Sequence, residues 1–311
     1  MQIGMVFPGQ GSQSVGMQAT LAGETVVRDT YAEASAVLGE DLWALAEDGP
    51  DAAQNRTENT QPLMLTAGVA AYRLWQQRGG VVPLVLAGHS LGEFTALVCG
   101  GAIGFADAVR LVRIRAQLMQ AAVPLGAGAM AAILGLDDAD VEAACREAAG
   151  GEVVEAANYN QPGQVVIAGH AAAVERAMQA AKARGAKRAV LLAVSIPAHT
   201  SLLAGAAAEF AGAIGAVHLQ APSIPVLGIG QRPHGDGEAI RRAVIEQLHR
   251  PVRWSATVEA MLGYRIRGLV ECGPGKVLAG LGRRIVKDKE FQVLAGDDLP
   301  GLEAALAATA A

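Results

Sequence analysis

A serine flanked by glycines at two-residue spacing is the pattern in this chain with the clearest chemical capability. Gly88-x-Ser90-x-Gly92 lies between an apolar run at 81–87 and a second one at 94–98. A strand, a sharp turn and a helix with a serine at the apex form a nucleophile elbow, which lifts the hydroxyl clear of the sheet. The following helix directs its first N–H groups at a developing oxyanion. The pattern predicts acyl transfer through Ser90, although an ordinary Gly/Ser turn has the same five residues.

A serine nucleophile needs a base that accepts its proton and later returns it to the leaving group. His89 lies inside the turn itself, whereas His199 follows Pro197 where a strand is expected to give way to a helix. Residue types and spacing do not decide between a catalytic His199 and a polar junction residue. The other histidines are expected at the surface or in loops: His170, His218, His234 and His249.

Three arginines share an amphipathic helix predicted over 105–122: Arg110, Arg113 and Arg115. A planar guanidinium binds a carboxylate through two parallel hydrogen bonds, so one of them could recognise an anionic substrate. The alternative is a solvated helix face.

The first predicted strand, at 3–7, runs into the glycine-rich loop 8–13. Phosphate-binding loops also follow strands, but Ser14 replaces the third glycine of G-x-G-x-x-G, and G-x-x-x-x-G-K-[ST] does not occur. We therefore expect the loop to hold its backbone near a ligand without binding a nucleotide. A buried helix is predicted over 63–75, with Thr60 as its cap.

The middle of the chain predicts a separate small domain. Strands are expected at 130–134, 153–157, 164–168 and 189–194, with helices at 137–149 and 172–184. The order β-α-β-β-α-β is that of the split βαβ, ferredoxin-like unit. We predict residues 1–125 as the first part of a large α/β domain, 126–195 as the inserted small domain and 196–311 as the second part of the large one.

The second part is predicted to hold a strand at 224–227, a helix at 239–248, a strand at 268–272 and a helix from about 277. The Ala-rich end, 302–311, has little in its sequence to fix it in place.

Composition excludes several classes of protein. With 51% hydrophobic and 18% charged residues the chain is a globular one, and its formal net charge of -5 argues against a general nucleic-acid binder. The cysteines Cys99, Cys145 and Cys272 are scattered, and neither they nor other residues show metal-ligand spacing, which favours buried thiols and no metal site. Because we find no signal-peptide pattern and no run long enough to cross a membrane, we expect a cytoplasmic protein without membrane contact.

Taken together, the motifs resemble those of bacterial malonyl-CoA:acyl carrier protein transacylases. Seven segments match that family in order and spacing, from residue 3 to about 286: FPGQGSQ at 7–13, GHSLGE at 88–93, RIR at 113–115 with MQ at 119–120, GAMAAI at 128–133, PGQVVIAG at 162–169, PAH at 197–199 and ECGPGKVL at 271–278. The resemblance implies an α/β-hydrolase-like large domain, with a mostly parallel sheet, and an inserted ferredoxin-like small domain.

The resemblance also implies roles for individual residues. Ser90 is the nucleophile and His199 the base, ahead of His89. The backbone N–H groups of Gln10 and Leu91 form the oxyanion hole. The backbone carbonyl of Gln247 orients the histidine in place of an acidic third member.

Arg115 takes the position of the family's carboxylate clamp, and the other two arginines of its helix are assigned to the surface. The implied reaction is a ping-pong transfer in fatty acid synthesis, from malonyl-CoA as substrate to the phosphopantetheine thiol of acyl carrier protein. No cofactor is implied, and we expect a monomer. Alternatives are a discrete acyltransferase serving a polyketide synthase, a serine esterase or thioesterase, and a non-catalytic subunit that binds the carrier.

Two departures from the family bear on specificity. Gly228-Ile229-Gly230 stands where the family usually has an Asn-containing loop, and this alters a segment expected near the site. Ala198 is smaller than the Ser or Phe common before the histidine, so the acyl pocket could be wider and accept methylmalonyl-CoA better.

Overall fold

The computed structural model describes residues 1–194 and 196–310. Its strands are β1 Ile3–Phe7, β2 Val85–Gly88, β3 Gly128–Leu134, β4 Val154–Gln161, β5 Gln164–His170, β6 Arg188–Leu191, β7 Val226–Leu227, β8 Gly268–Cys272 and β9 Gln292–Gly296. These strands form two separate sheets.

The α-helices are α1 Thr25–Leu38, α2 Leu42–Glu47, α3 Asp51–Gln54, α4 Thr57–Gln77, α5 Gly92–Cys99, α6 Phe105–Ala121, α7 Asp138–Ala148, α8 Ala171–Ala183, α9 Ala204–Gly215, α10 Gly237–Gln247, α11 Trp254–Leu262, α12 Val277–Ile285 and α13 Leu299–Ala310. Short 3-10 turns lie at Ala19–Leu21 and Ser201–Leu203.

The first sheet is parallel, with strand order β7-β2-β1-β8-β9. Its central strands β1 and β8 are buried along their whole length, as expected for strands covered on both faces. Helix α4 contacts α1, α5 and β8, and its residues 60–72 are buried without interruption. The carboxyl ends of β1 and β2 lie side by side, because Phe7 pairs with Gly88.

The second sheet is antiparallel, with order β4-β5-β3-β6. Helices α7 and α8 pack on one face over a core of small and β-branched residues that includes Ile133, Val165 and Val174. This strand order and the β-α-β-β-α-β succession confirm the ferredoxin-like prediction, and the parallel sheet confirms the α/β prediction.

Two local predictions were wrong. Helix α4 begins at Thr57, with Arg56 at the N-cap position, so Pro62 lies in its second turn and Thr60 is no cap. The Thr60 hydroxyl instead donates to the carbonyls of Gln54 and Arg56.

The C-terminal segment is also ordered, contrary to the expectation for 302–311. Helix α13 packs against β9 and buries Leu302, Ala305 and Thr309. The Met1 amino group donates to the Thr309 carbonyl at 2.6 Å. The helix is apolar on most sides, so its sequence lacks the periodic contrast that marks a packed face. Ala311 lies outside the described residues.

The chain divides into two compact units. The first comprises residues 1–116, 216–240 and 257–311, and the second comprises 117–215 and 241–256. The second unit thus includes 117–125, 196–215 and 241–256, which the sequence-based division assigned to the large domain. Long-range hydrogen bonds account for the inclusion of 241–256, since the N–H of Val252 donates to the Ala157 carbonyl and that of Tyr159 to the Val252 carbonyl. The predicted boundary residue Ser195 lies outside the described residues.

Among the helices of the described residues, we find none that is both long and apolar enough to cross a membrane.

Candidate active site

Ser90 occupies the apex of a turn between β2 and α5, as the sequence predicts. Its φ is 51°, in the left-handed region that non-glycine residues seldom adopt. The N–H of Gly92 donates to the His89 carbonyl at 2.9 Å, and that of Glu93 to the Ser90 carbonyl at 3.0 Å. The turn therefore leads directly into the first turn of α5, where the backbone N–H groups have no partner within the helix.

The two glycines of the motif are required by close backbone approach. A Cβ added to Gly88 would lie 1.8 Å from the carbonyl carbon of Gly92, and one added to Gly92 would lie 2.1 Å from the Phe7 oxygen. Gly9 lies against the same turn, since a Cβ added to it would lie 2.5 Å from the His89 oxygen. The glycine-rich loop after β1 and the serine turn after β2 are thus in direct contact.

Arg115 places a cation beside the Ser90 hydroxyl. It lies in α6, and the side chain is buried, with 1% of the residue exposed. Nη2 donates to Ser90 Oγ at 3.3 Å, Nη1 donates to Gln61 Oε1 at 2.7 Å, and the guanidinium carbon lies 5.8 Å from the Phe94 ring centroid. Burial lowers the pKa of Arg115 to about 10, opposed by the negative charge of Glu93. The guanidinium therefore remains charged at neutral pH.

The other two arginines of α6 lie outside this arrangement. Arg113 pairs with Glu40 and Arg110 with Asp107. The Arg110 side chain is more than half exposed, whereas that of Arg113 is only 15% exposed. The surface assignment is therefore correct for Arg110 and wrong for Arg113, which is mostly buried but pairs with Glu40, and only Arg115 of the three is fully buried.

A chain of hydrogen bonds connects Arg115 with the loop after β1. Gln61 Nε2 donates to Thr57 Oγ1 at 3.3 Å, and the Thr57 hydroxyl donates to Gln10 Oε1 at 2.9 Å. Gln10 is itself exposed, and Leu91 is buried at the N-cap position of α5. The first compact unit therefore brings together Ser90, Leu91 and Arg115, with Gln10 joined to them through two side chains.

His199 belongs to the second compact unit. It is 3% exposed, and its Nδ1 lies 2.8 Å from the carbonyl oxygen of Gln247. Because a carbonyl oxygen only accepts, Nδ1 carries the proton and the neutral ring has its basic lone pair on Nε2. The N–H of His199 donates to the Leu248 carbonyl at 3.1 Å. Ring and backbone are both held by the end of α10, and Gln247 makes the contact that the resemblance implied.

Ser90 and His199 both have a strained backbone conformation. His199 has φ 64°, so it shares the left-handed conformation of Ser90. Such conformations cost on the order of 1–3 kcal/mol each and persist where the surroundings enforce them. Strain at a candidate nucleophile and a candidate base is consistent with function at both positions.

Comparisons with known proteins identify the family of this chain. The family model described as "Acyl transferase domain" matches residues 5–303. The chain belongs to this family. It is 55% identical over 287 residues to the malonyl CoA-acyl carrier protein transacylase of Escherichia coli strain K12, covering 92% of this chain and 93% of that protein.

Two solved structures of this acyl transferase family extend the comparison. The malonyl CoA-acyl carrier protein transacylase of Coxiella burnetii has a TM-score of 0.97 and 44% identity, covering 99% of this chain and 98% of that one. A type II PKS acyl-carrier protein in complex with its malonyl-transacylase has a TM-score of 0.97 and 49% identity, covering 99% of this chain and all of the other. The similarity thus spans both compact units.

Three polar residues of the site were missed by the sequence analysis. Gln61 accepts a hydrogen bond from Arg115, and Glu93 is buried next to the serine turn and pairs with His234. His234 lies in a loop, as expected, but only 9% of it is exposed. A signal existed for Gln61, because it is a polar residue at the start of a nearly apolar helical run; none existed for the pairing of His234.

Proposed function

We propose that this chain is a malonyl-CoA:acyl carrier protein S-malonyltransferase. The observation that carries the proposal is the buried Arg115 guanidinium 3.3 Å from the Ser90 hydroxyl. A malonyl group differs from an acetyl group by a terminal carboxylate, and a desolvated guanidinium is the side chain suited to bind it. The names of the relatives support the same activity.

In the first half-reaction, Ser90 Oγ attacks the thioester carbonyl of malonyl-CoA while Nε2 of His199 accepts the hydroxyl proton. The N–H groups of Gln10 and Leu91 stabilise the oxyanion of the tetrahedral intermediate. Collapse of the intermediate breaks the carbon–sulfur bond, and His199 returns its proton to the departing CoA thiolate. The product is a malonyl ester of Ser90 and free CoA.

In the second half-reaction, the phosphopantetheine thiol of acyl carrier protein attacks the malonyl ester. His199 accepts the thiol proton and then protonates Ser90 Oγ as the ester bond breaks. The carbonyl of Gln247 keeps the imidazole in the tautomer that both steps use. Every group in this sequence comes from the chain or the two substrates, so the proposal includes no cofactor.

The pathway in this proposal is fatty acid biosynthesis, with the enzyme in the cytoplasm. The three cysteines are free thiols, which suits a reducing compartment. Service to a polyketide synthase is the second candidate, favoured by the similarity to the transacylase in complex with a type II PKS acyl-carrier protein. A simple esterase is less consistent with the site, because it has no use for a buried cation at its nucleophile.

A mass measurement followed by a transfer assay tests the proposal. Incubation with malonyl-CoA should add one malonyl mass to the protein, and peptide mapping should place it on Ser90. Addition of an acyl carrier protein bearing phosphopantetheine should remove the adduct from the enzyme and add it to the carrier, whereas the carrier without phosphopantetheine should leave it in place. Release of free malonate without carrier acylation would instead support the hydrolase. Parallel assays with a fatty acid carrier and a polyketide carrier compare the two pathways.

A further inference from the structure

His234 and Glu93 form a buried pair next to the serine turn. Nε2 of His234 lies 2.9 Å from Oε1 of Glu93, and the two side chains are 5% and 3% exposed. A carboxylate oxygen only accepts, so the imidazole Nε2–H donates. Glu93 lies three residues after Ser90 in the first turn of α5, and its N–H donates to the Ser90 carbonyl. The imidazole thus holds a carboxylate that belongs to the elbow itself.

The loop after β7 is folded so that the imidazole can reach this position. The N–H of His234 donates to the Val226 carbonyl at 3.0 Å, and the N–H of Gly228 donates to the Arg232 carbonyl. A Cβ added to Gly228 would lie 2.5 Å from His234 Cε1 and 3.0 Å from Glu93 Oε1. A side chain at position 228 and the imidazole therefore compete for the same space beside Glu93.

Glu93 acts in turn on Arg115. Burial disfavours the charged guanidinium, and the negative charge of Glu93 is what opposes that effect on the pKa of Arg115. Arg115 is hydrogen-bonded to Ser90 Oγ, which belongs to the same turn as Glu93. The guanidinium carbon also lies 5.8 Å from the ring centroid of Phe94, the residue after Glu93. Fixing Glu93 therefore fixes the segment whose Ser90 and Phe94 contact the cation that, under the proposed function, binds the substrate carboxylate.

We propose that His234 is a positioning residue for malonyl selection: it fixes the Glu93 carboxylate, and with it the elbow and the start of α5, where Ser90 and Phe94 contact Arg115, so that the guanidinium stays oriented toward the acyl group. The imidazole can reach Glu93 because Gly228, in the same loop, has no side chain to occupy that space. The proposal rests on the proposed function and assigns a residue that touches neither substrate nor nucleophile.

Steady-state kinetics of three variants test the role. For His234→Ala we expect the KM for malonyl-CoA to rise roughly 5- to 100-fold, with kcat changed far less, because the buried Glu93 carboxylate loses the imidazole donor and ground-state binding is weakened. The rate of acetyl-enzyme formation should change little. His234→Gln keeps an N–H donor and should stay within about threefold of wild type. His218→Ala, at an exposed histidine, is the matched control and should match wild type.

A second test moves the hydrogen-bond donor for Glu93 from position 234 to position 228. Gly228→Asn alone should weaken malonyl transfer, because the new side chain displaces the imidazole. In the double variant Gly228→Asn/His234→Ala, the amide should take the vacated space and donate to Glu93, so that malonyl kinetics recover toward wild type. A double variant as poor as the product of the two single effects would overturn the proposal.

Two further outcomes would also overturn it. His234→Ala could lose malonyl and acetyl transfer equally, which is the result of a purely structural role, or it could leave both unchanged. Thermal unfolding of each variant shows whether it folds. If His234→Ala does not fold, the kinetics of His234→Gln and of the double variant decide whether the proposal stands. If the wild-type enzyme itself shows no malonyl transfer, the proposed function fails, independently of any variant.

Discussion

Nη2 of Arg115 donates a hydrogen bond of 3.3 Å to Oγ of Ser90, although Ser90 lies in the turn before α5 and Arg115 lies in α6. A malonyl group esterified to Ser90 has its free carboxylate within three bonds of the ester carbonyl. A cation at this distance from the nucleophile can therefore bind the carboxylate while the thioester carbonyl is attacked. Substrate selection and chemistry are expected to occur at one place.

The substitution Arg115→Ala should separate malonyl from acetyl transfer. Loss of a charge-assisted, bidentate and water-shielded pair costs about 2–5 kcal/mol, so kcat/KM for malonyl-CoA should fall steeply. Acetyl transfer should stay unchanged or rise, because no unpaired guanidinium then faces the methyl group. The measurement is the ratio of the two kcat/KM values.

Arg113→Ala is the matched control for Arg115, since Arg113 lies in the same helix and pairs with Glu40. It should leave the malonyl-to-acetyl ratio unchanged. An Arg115→Ala enzyme with the wild-type ratio would remove the clamp from the mechanism.

The elbow could be predicted from sequence because its tightest requirement is local. A Cβ added to Gly88 would lie 1.8 Å from the carbonyl carbon of Gly92, within the same turn, whereas the need for Gly92 itself comes from the neighbouring strand, since an added Cβ would lie 2.1 Å from the Phe7 oxygen. The strand at 268–272 and the helix from 277 were also correct, since an apolar run followed by Gly-Pro-Gly contains its own end signal.

The polar partners of the site could not be predicted in this way. His234 and Glu93 are 141 residues apart, and Arg115 and Gln61 are 54 apart. Each pairing depends on which distant segment the tertiary fold brings to α5 or α6, a loop for His234 and helix α4 for Gln61, and no periodicity in the sequence encodes it. The grouping of 241–256 with the second unit was missed for the same reason, because it depends on the hydrogen bonds between Val252 and β4.

The substitution Ser90→Ala should abolish the malonyl-enzyme adduct without unfolding the protein. Alanine keeps the Cβ that the left-handed backbone already tolerates at φ 51°, so only the hydroxyl is lost. Intact-mass measurement after incubation with malonyl-CoA should show the unmodified mass. Ser14→Ala, in the loop after β1, should still acquire the adduct. A malonyl mass on the Ser90→Ala protein would place the nucleophile elsewhere.

The substitution His199→Ala should slow transfer by roughly 10²–10⁴-fold, the usual contribution of a positioned proton acceptor. The Nδ1 contact with Gln247 makes Nε2 the basic nitrogen, so His199→Gln, which keeps an amide but has no basic lone pair, should not restore the rate. His249→Ala, close to the same helix end, serves as the control and should retain activity. If His199→Ala works within a few-fold of wild type at neutral pH, another group is the base.

Glu271 offers a test that concerns stability and not catalysis. It lies fully buried at the end of β8, and its oxygens accept hydrogen bonds from the N–H groups of Leu278 at 3.1 Å and Ala279 at 2.7 Å. These bonds favour the carboxylate, but burial outweighs them and raises its pKa from 4.5 to about 7. Between those two pH values the folded protein holds a proton that the unfolded chain has released.

We therefore expect the free energy of unfolding of the wild type to fall, relative to Glu271→Gln, as pH rises from about 5 to about 7. Because the native state binds more protons than the unfolded state in this window, the slope is negative, at most about 1.4 kcal/mol per pH unit. Urea unfolding of both proteins at pH 5, 6, 7 and 8 measures this slope. The difference in the free energy of unfolding between wild type and Glu271→Gln should level off above pH 7. The control Glu290→Gln, at an exposed glutamate, should show no such trend. A wild-type-minus-Glu271→Gln difference that is constant from pH 5 to 8 would mean that Glu271 stays ionised in the folded protein throughout, held so by the first turn of α12.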